Sequence, residues 1–375
     1  MNKSIKKIGI KTSFIILALF IILTLSLYLG NSQFRNWTDR KVLNKDIEDE
    51  KLPTIYLESN EKTHVYTYSN NVVTLEDNRL KIYNKYAKEM QNINVSISNP
   101  KFASKGDYLL IADEGGSKLY LLYNNNIQWE KEVEGQIAQI CVNKNGAVGV
   151  IVTGTTYRSV IVMYDITGKE NFKTFLSTTN AIDLDISEDN NYLSFIEINT
   201  SGATILSKVK TVSVEKAISK PDEAIVNTYE MDTNILLIKL RYKKNKIVTF
   251  ADNAVYILNN NNKEKVLDIT NNISFVDISL DGYVACIKEE ENKYELDLIN
   301  TENQKINTYL INDAIKKIYC NENITAIDVG NKVDFVNNGA WLEKKFTSHQ
   351  NIKDIKLGRN IATIIYKDRI ELIEI

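Results

Sequence analysis

The sequence has little cysteine, proline, glycine or histidine for its length. Its 375 residues include three Cys, three Pro, 15 Gly and two His. The cysteines Cys141, Cys286 and Cys320 form no C-x-x-C pair, so the usual spacing of a zinc site or redox dithiol is missing. His64 and His349 lie far apart, which excludes an HExxH metal site and leaves few possibilities for a Ser-His-Asp triad.

Sequence motifs of common enzymes are absent as well. The chain contains no G-x-S-x-G, Walker A or GxGxxG stretch. The net charge is −2 and the pI is about 6.0, so composition predicts no nucleic-acid surface. From these observations we predict no catalytic residue, no metal ligand, no cofactor and no nucleic-acid partner. An exported protein without disulfides is typical of a Gram-positive-like envelope.

One long apolar run stands near the N-terminus. Between Phe14 and Leu29, twelve residues are Leu, Ile or Phe, and the run has no charge and no proline. Residues 12–30 as a helix would span about 28 Å, which is close to the thickness of the bilayer core. We therefore predict a transmembrane helix over 12–30. A cleaved signal peptide is the alternative, but the run is longer than a usual h-region and has no clean A-x-A-like exit.

The residues around this run predict its orientation. Lys3, Lys6, Lys7 and Lys11 lie in a basic tail over residues 1–11, and a polar tether with an acidic patch follows over 31–53. Arginine and lysine residues in the tether nearly balance the tail, but large downstream domains translocate largely regardless of charge. We predict a single-pass protein of the cell membrane with a cytoplasmic N-terminus and an extracytoplasmic domain over 54–375.

Residues 54–375 carry a repeat that predicts an all-β fold. Each unit is an apolar strand, a polar turn, a strand rich in Val, Ile and Ala, a tight turn and a third strand, often with a fourth. The period averages about 41 residues, which is typical of β-propeller blades. We predict eight blades, with seven as the closest alternative and a pair of β-sandwiches as a more distant one. The units begin near residues 64, 100, 138, 181, 238, 274, 314 and 354.

Two features refine this prediction. The last unit ends after its third strand, and an unpaired edge is a liability, so Thr54–Leu57 is the expected closing strand. One spacing is longer than the others, which places a longer strand pair or a surface insertion around Ser213–Asp232.

Weak site candidates come from two patterns. Asp183 and Asp185 alternate along a strand and so share a face, where they could form a cation site or acid–base pair on a channel wall. Bonding to turn amides or exposure at a strand edge is the favoured interpretation. Trp129 and Trp341 occupy equivalent places at the fourth strand of their units, which favours packing between blades over ligand stacking.

The lysine-led helix, the stretch Ser207–Glu230 and the stretch Ile238–Leu258 resemble a family of uncharacterised, membrane-anchored propeller proteins of clostridia and related bacteria. More distantly, the tryptophan-ended units resemble WD40-like and quinoprotein-like propellers, including an outer-membrane assembly scaffold. The resemblance implies fold and topology. Without the vicinal cysteines of quinoprotein dehydrogenases, it implies no quinone cofactor.

These observations predict a membrane-anchored, non-enzymatic interaction or scaffold module of the cell envelope. Its expected partners are the lipid bilayer and an envelope protein or polymer. The alternative is an envelope hydrolase or lyase whose site in the central channel uses Asp183 and Asp185. A sensor is a third hypothesis, which a cytoplasmic tail of eleven residues disfavours.

Overall fold

The computed structural model describes residues 2–31, 34, 38, 42, 52–57, 63–290 and 293–375, with the side chains of the first helix described from residue 16 onward. This helix, α1, spans Asn2–Gly30 and so begins inside the predicted basic tail. Residues 2–11 contain no proline and allow the helix to continue. Within the part of the chain that the structure describes, no helix combines the length and apolar composition needed to cross a membrane. The side chains of Lys3, Lys6, Lys7 and Lys11 and most of the predicted tether lie outside the described residues.

The described residues after α1 form eight four-stranded antiparallel sheets, each one blade of a propeller. Eight blades are therefore confirmed, and the seven-bladed and sandwich alternatives are wrong. Blades 1–4 comprise β2 His64–Tyr68, β3 Asn71–Glu76, β4 Arg79–Asn84 and β5 Glu89–Asn94; β6 Pro100–Lys105, β7 Tyr108–Asp113, β8 Lys118–Tyr123 and β9 Asn126–Glu132; β10 Gln136–Val142, β11 Val148–Thr153, β12 Ser159–Tyr164 and β13 Glu170–Leu176; β14 Asn180–Ile186, β15 Tyr192–Asn199, β16 Leu206–Ser213 and β17 Ile225–Glu230.

The remaining four blades follow the same order, except that the last one takes its fourth strand from the start of the domain. They comprise β18 Leu237–Lys243, β19 Lys246–Ala251, β20 Ala254–Asn259 and β21 Asn262–Asp268; β22 Ile273–Ile278, β23 Val284–Glu290, β24 Lys293–Ile299 and β25 Ile306–Ile311; β26 Lys317–Cys320, β27 Ile324–Asp328, β28 Lys332–Asn337 and β29 Leu342–Thr347; β30 Asp354–Leu357, β31 Ile361–Ile365, β32 Arg369–Glu374 and β1 Thr54–Tyr56.

The ring is closed by β1, as the sequence predicts. Ile55 pairs with Ile370 of β32 and is buried, and the Leu372 amide donates to the Pro53 carbonyl at 3.0 Å. The antiparallel pairing hides the edge that β32 would otherwise expose. The expected insertion in blade 4 is a short helix, α2 Val214–Ser219, followed by a 3₁₀ turn over Pro221–Glu223. The Ser213 side chain caps this helix by accepting from the Lys216 amide.

The core lies between the blades. In the described residues, eight clusters of buried apolar side chains each join two neighbouring blades, including the last and the first. Tight turns with φ > 0 separate the strands: the pairs Asn124-Asn125 and Asn260-Asn261 both lie in the left-handed region that asparagine tolerates. Apolar alternation thus packs each blade on the next, and asparagine turns set the strand register.

Strand direction divides the disc into two faces. Strands one and three of a blade run in the same direction, and strands two and four run in the opposite direction, because all pairings are antiparallel. The turns between strands one and two and between strands three and four therefore share one face. Pro53, where the chain enters β1, and Ile375, the last residue, lie at that same end of blade 8. We call it the proximal face and the opposite one the distal face.

Candidate functional site

The innermost strands of four consecutive blades are bulged where they border the channel. In each of these strands the pairing register shifts by one residue. The first residue after the shift is Gln139 in β10, Asp183 in β14, Lys239 in β18 and Phe275 in β22. Bulges re-aim side chains and are common near functional sites. In three of these blades the residue whose side chain the bulge redirects is polar. The channel wall is therefore the first candidate for a functional site.

Asp183 lies at the centre of this polar wall and is 4% exposed. One carboxylate oxygen accepts from Gln139 Nε2 at 3.2 Å. The other accepts from the Leu240 amide and from Arg241 Nη1, both at 2.9 Å. A single side chain therefore joins blades 3, 4 and 5.

Asp185 continues this arrangement two residues along β14 and is equally buried. It accepts from its neighbour's amide, Ile186, at 3.0 Å and from the Tyr242 amide of the next blade at 2.8 Å. The two predicted aspartates are thus brought together on one strand, and they cap amides on the channel edge of β18. Those amides have no strand partner on that side, because β18 is the innermost strand of its blade.

Arg241 supplies the positive charge of the site. Burial lowers the pKa of its guanidinium, but the carboxylates of Asp183 and Asp185 outweigh burial and hold that pKa above its ordinary value. Burial, together with the same two carboxylates, raises the pKa of the nearby Cys141 thiol well above its usual range. Arg241 and Asp183 thus form an ion pair between blades 5 and 4.

A second ion pair extends the wall to blade 6. Lys239 Nζ lies 2.6 Å from Asp277, whose carboxylate also accepts from the Ile278 amide. Sequence reasoning missed Gln139, Lys239, Arg241 and Asp277. A signal was present, because the acidic alternation Asp-Leu-Asp on β14 is followed one blade later by the basic alternation Lys-Leu-Arg on β18.

All four carboxylate oxygens of Asp183 and Asp185 accept hydrogen bonds from protein donors. A general acid or base needs an atom directed at its substrate, and a cation site needs several converging oxygens. Among the described residues, no group of three or more His, Cys, Asp or Glu side chains could hold a metal. The arrangement favours a structural role, in which the acidic pair joins blades across the channel wall.

The other sequence candidates occupy different places. His64 opens β2 and His349 lies in the turn after β29. The Trp129 indole packs on Tyr164 of the next blade, with ring centroids 6.1 Å apart, and donates to the Ile166 carbonyl at 3.1 Å. Packing between blades is thus confirmed for Trp129. Trp341 is 45% exposed and does not repeat this contact.

A groove between blades 2 and 3 reaches the distal face. Its volume is about 370 Å³. Buried side chains from β11 and β12 line it, and two exposed aromatic rings, Tyr157 and Phe175, stand beside each other with centroids 4.7 Å apart. The Thr155 hydroxyl fixes the loop by donating to the Tyr157 carbonyl and accepting from the Tyr157 amide. Exposed aromatic side chains in a preformed concave site are typical of binding surfaces.

The groove has charged groups around its apolar floor. Glu132, Glu134, Glu170 and Lys173 line it, and Lys173 lies 3.1 Å from Glu170. At the far end of the groove, burial, followed by Glu170 and Glu134, raises the pKa of Tyr164 to about 12. The site therefore offers aromatic faces and carboxylate acceptors, and it has no arrangement of nucleophile and base.

Comparison with known proteins gives the family. Residues 45–375 match DUF5711, a family of unknown function. The chain belongs to the DUF5711 family. Its match covers the whole propeller, and no curated protein sequence matches the chain.

Solved structures share the fold of this DUF5711 protein at low sequence identity. The C-terminal WD40 domain of Sif2 matches with a TM-score of 0.57 at 10% identity, covering 87% of this chain and 98% of that one. Apo AztD from Citrobacter koseri matches with a TM-score of 0.55 at 9% identity, covering 84% and 92%. BamB from Moraxella catarrhalis matches with a TM-score of 0.52 at 10% identity, covering 87% and 99%. Likeness at this identity shows the β-propeller fold alone.

Proposed function

We propose that this DUF5711 propeller is a non-enzymatic interaction module, anchored in the cell membrane by α1 and held outside the cytoplasm. The observation that carries the proposal is the position of β1. The chain enters the ring from the N-terminal segment at the proximal face, so a membrane-bound α1 would leave the distal face free to receive a partner.

The described part of α1 supports anchoring. Its leucine, isoleucine and phenylalanine side chains between Ile16 and Leu29 are 41–72% exposed. Leaving this much apolar surface in water is unfavourable by about 25 cal/mol per Å². A bilayer removes that cost. The cytoplasmic placement of Lys3, Lys6, Lys7 and Lys11 remains part of this proposal.

The distal groove supports the choice of an interaction module over a hydrolase or lyase. Tyr157 and Phe175 offer exposed aromatic surface, whereas all four oxygens of Asp183 and Asp185 already accept hydrogen bonds within the protein. Aromatic anchors dominate the energetics of many interfaces. The expected partner is an envelope protein or polymer that covers this groove.

Membrane extraction and thiol labelling test location. In cells that express the full chain with Cys320→Ala, we expect the protein to resist alkaline carbonate extraction. A cysteine introduced at Leu206, which is exposed on the distal side, should react with a membrane-impermeant maleimide in intact cells. Labelling only after lysis would contradict an extracytoplasmic domain, and release by carbonate would contradict anchoring.

Site-specific crosslinking tests the groove. A photo-crosslinking residue at Thr156, in the groove, should give a discrete adduct in cells that Phe175→Ala abolishes without lowering the amount of folded protein. The matched control places the crosslinker at Leu310, which is exposed at the distal end of blade 6. If both positions give the same adducts, the groove is not the binding site.

A further inference from the structure

Exposed apolar residues recur at one position of the blade, the turn between the third and fourth strands. Tyr86, Ile166, Ile218 and Trp341 lie in this turn in blades 1, 3, 4 and 7, and they are 67%, 47%, 60% and 45% exposed. Tyr123 and Ile306 flank the same turn in blades 2 and 6. In the described residues, six of the eight blades therefore carry an exposed apolar side chain at the outer edge of the proximal face. We call this set the proximal rim.

The two exceptions are informative. The turn of blade 5 is Asn260-Asn261, which is polar. In blade 8 the turn does not exist as a loop, because β32 and β1 come from opposite ends of the chain. The place of that turn is taken by Pro53, where the chain arrives from the segment that carries α1, and by Ile375. The N-terminal segment thus joins the domain at the level of the rim.

Among the described residues, exposed apolar side chains elsewhere recur in fewer blades. On the distal side Phe175, Leu310 and Tyr56 lie near the end of the fourth strand in three blades. Ile182 and Ile238 are the bulged residues of two first strands, and Leu206 begins a third strand. Single exposed apolar residues are common on protein surfaces and require no explanation. The repetition of exposed apolar side chains at the same turn of six blades, all on one face, does require an explanation.

We propose that the proximal rim contacts the surface of the lipid bilayer, so that the disc rests on the membrane with its distal face turned outward. This inference rests on the proposed anchoring by α1, which brings the bilayer to the proximal face. Tyrosine and tryptophan are enriched at the membrane–water interface because their rings are amphipathic. Tyr86, Tyr123 and Trp341 supply such rings, and the isoleucines supply side chains that can enter the headgroup boundary.

The spacing of the rim favours lipid over a protein partner. Its apolar residues stand singly on separate blades, whereas the centre of a protein interface is a continuous buried patch. Lysines accompany several of them, such as Lys88, Lys169 and Lys220, but Glu215 and Asp222 accompany them too. The contact should therefore depend on apolar insertion and should change little with salt.

Fluorescent labelling of the full chain in phosphatidylcholine vesicles tests the rim. The environment-sensitive fluorophore NBD is attached to a cysteine introduced at Ile166 or Ile218, with Leu206 and Leu310 as distal controls of similar exposure. The native thiols interfere little, because burial raises the pKa of Cys286 to about 11 and that of Cys320 to about 12. Cys141 is buried as well.

We expect NBD emission at the rim positions to shift to the blue and to be quenched by nitroxide-labelled lipid, with neither effect at the distal positions. Ile166→Ser with Ile218→Ser should reduce quenching of a fluorophore at Trp341→Cys, and these exposed positions should leave the unfolding midpoint unchanged. Rim labels that stay water-exposed overturn the proposal. A blue shift without lipid quenching also overturns it, because protein, such as a second copy of the chain, would then cover the rim.

Carbonate extraction of the same vesicles separates this proposal from the anchoring by α1. A chain that resists extraction while its rim labels stay unquenched is anchored but not docked, so only the rim contact fails. A chain that is extracted although its rim labels are quenched overturns anchoring and supports contact of the rim with lipid.

Discussion

The hydroxyl oxygens of Thr67 and Thr363 lie 2.8 Å apart in the interior, although 296 residues separate them in the chain. Thr67 belongs to β2 of the first blade and Thr363 to β31 of the last. Their hydrogen bond joins the two ends of the ring on the inside, while β1 joins them on the outside. The ring is thus closed both near its centre, by this hydrogen bond, and at its outer edge, by β1.

Removing both of these hydroxyls should destabilise the ring less than the sum of the two single removals. Thr67→Val or Thr363→Val leaves a buried hydroxyl without its partner and should cost about 1–3 kcal/mol of unfolding free energy. The double variant removes both polar groups at nearly constant volume and should cost less than the sum. Urea unfolding of the four proteins measures this coupling. Additive losses would show that the two hydroxyls do not depend on each other.

Truncating the buried residue of β1 should weaken closure. Ile55 is 5% exposed, whereas its neighbour Tyr56 is 77% exposed in the same strand. We expect Ile55→Ala to lower the free energy of unfolding by about 2–4 kcal/mol, because it leaves a cavity between blades 8 and 1. Tyr56→Ala is the matched control and should change it by less than about 0.5 kcal/mol. Equal effects of the two substitutions would contradict a closing role.

Asp183→Asn distinguishes a structural aspartate from a catalytic one. The substitution leaves Arg241 without its carboxylate in a buried site, which typically costs about 3–5 kcal/mol. We expect a lower unfolding midpoint, and we expect Asp183→Asn with Arg241→Gln to lose less than the two single variants together. If Asp183→Asn keeps full stability, the ion pair does not join the blades and a role in channel chemistry becomes the better explanation.

Glu197 should make stability depend on pH on the acidic side. Burial raises the pKa of its carboxyl, but Lys210, 2.6 Å away, and the Thr179 hydroxyl, 2.5 Å away, outweigh burial, so that the folded-state pKa is lower than usual. Its stabilising contribution is therefore present above the unfolded value, about 4.3, and is lost as pH falls through the folded value.

The stability difference between the natural protein and Glu197→Gln should accordingly be largest near pH 7 and shrink toward pH 3. Chemical unfolding over this range measures it. Adding Lys210→Gln provides the control, since Glu197→Gln should have a smaller effect in that background. A difference that stays constant down to pH 3 would contradict the lowered pKa.

Much of the fold could be predicted from the sequence because a propeller repeats its local pattern. Turns, strand alternation and an unfinished last unit are local signals, and they predicted eight blades and closure by Thr54–Leu57. The α2 helix was not predicted as a helix. Six residues are too few to display helical periodicity, and their start depends on one side-chain cap from Ser213.

The contacts of the candidate site could not be predicted in the same way. Asp183 was found by its alternation with Asp185, but its partners Leu240 and Arg241 lie 57 and 58 residues further along the chain. Only the stacking of one blade on the next brings them together, and the bulges that re-aim these residues have no sequence signature here.

Trp129 and Trp341 occupy the same place in their blades but differ in burial, because the blades that follow them differ. Trp129 packs on the turn between strands three and four of the following blade, where Gly168 lies so close that a Cβ would come 3.0 Å from the indole. Blade 8, which follows Trp341, has no such turn because the chain ends meet there. Equivalent tryptophans are therefore partly buried against the next blade in one case and exposed in the other.

The pairing of β1 with β32 also determines how the domain would bear mechanical load. A pull on the chain before Thr54, resisted by a partner held at the distal face, acts along the strand axis. The residue pairs Thr54–Glu371, Ile55–Ile370 and Tyr56–Arg369 would then be sheared together instead of being peeled apart one after another. In this geometry the strand that closes the ring is also the element through which tension would pass into the disc.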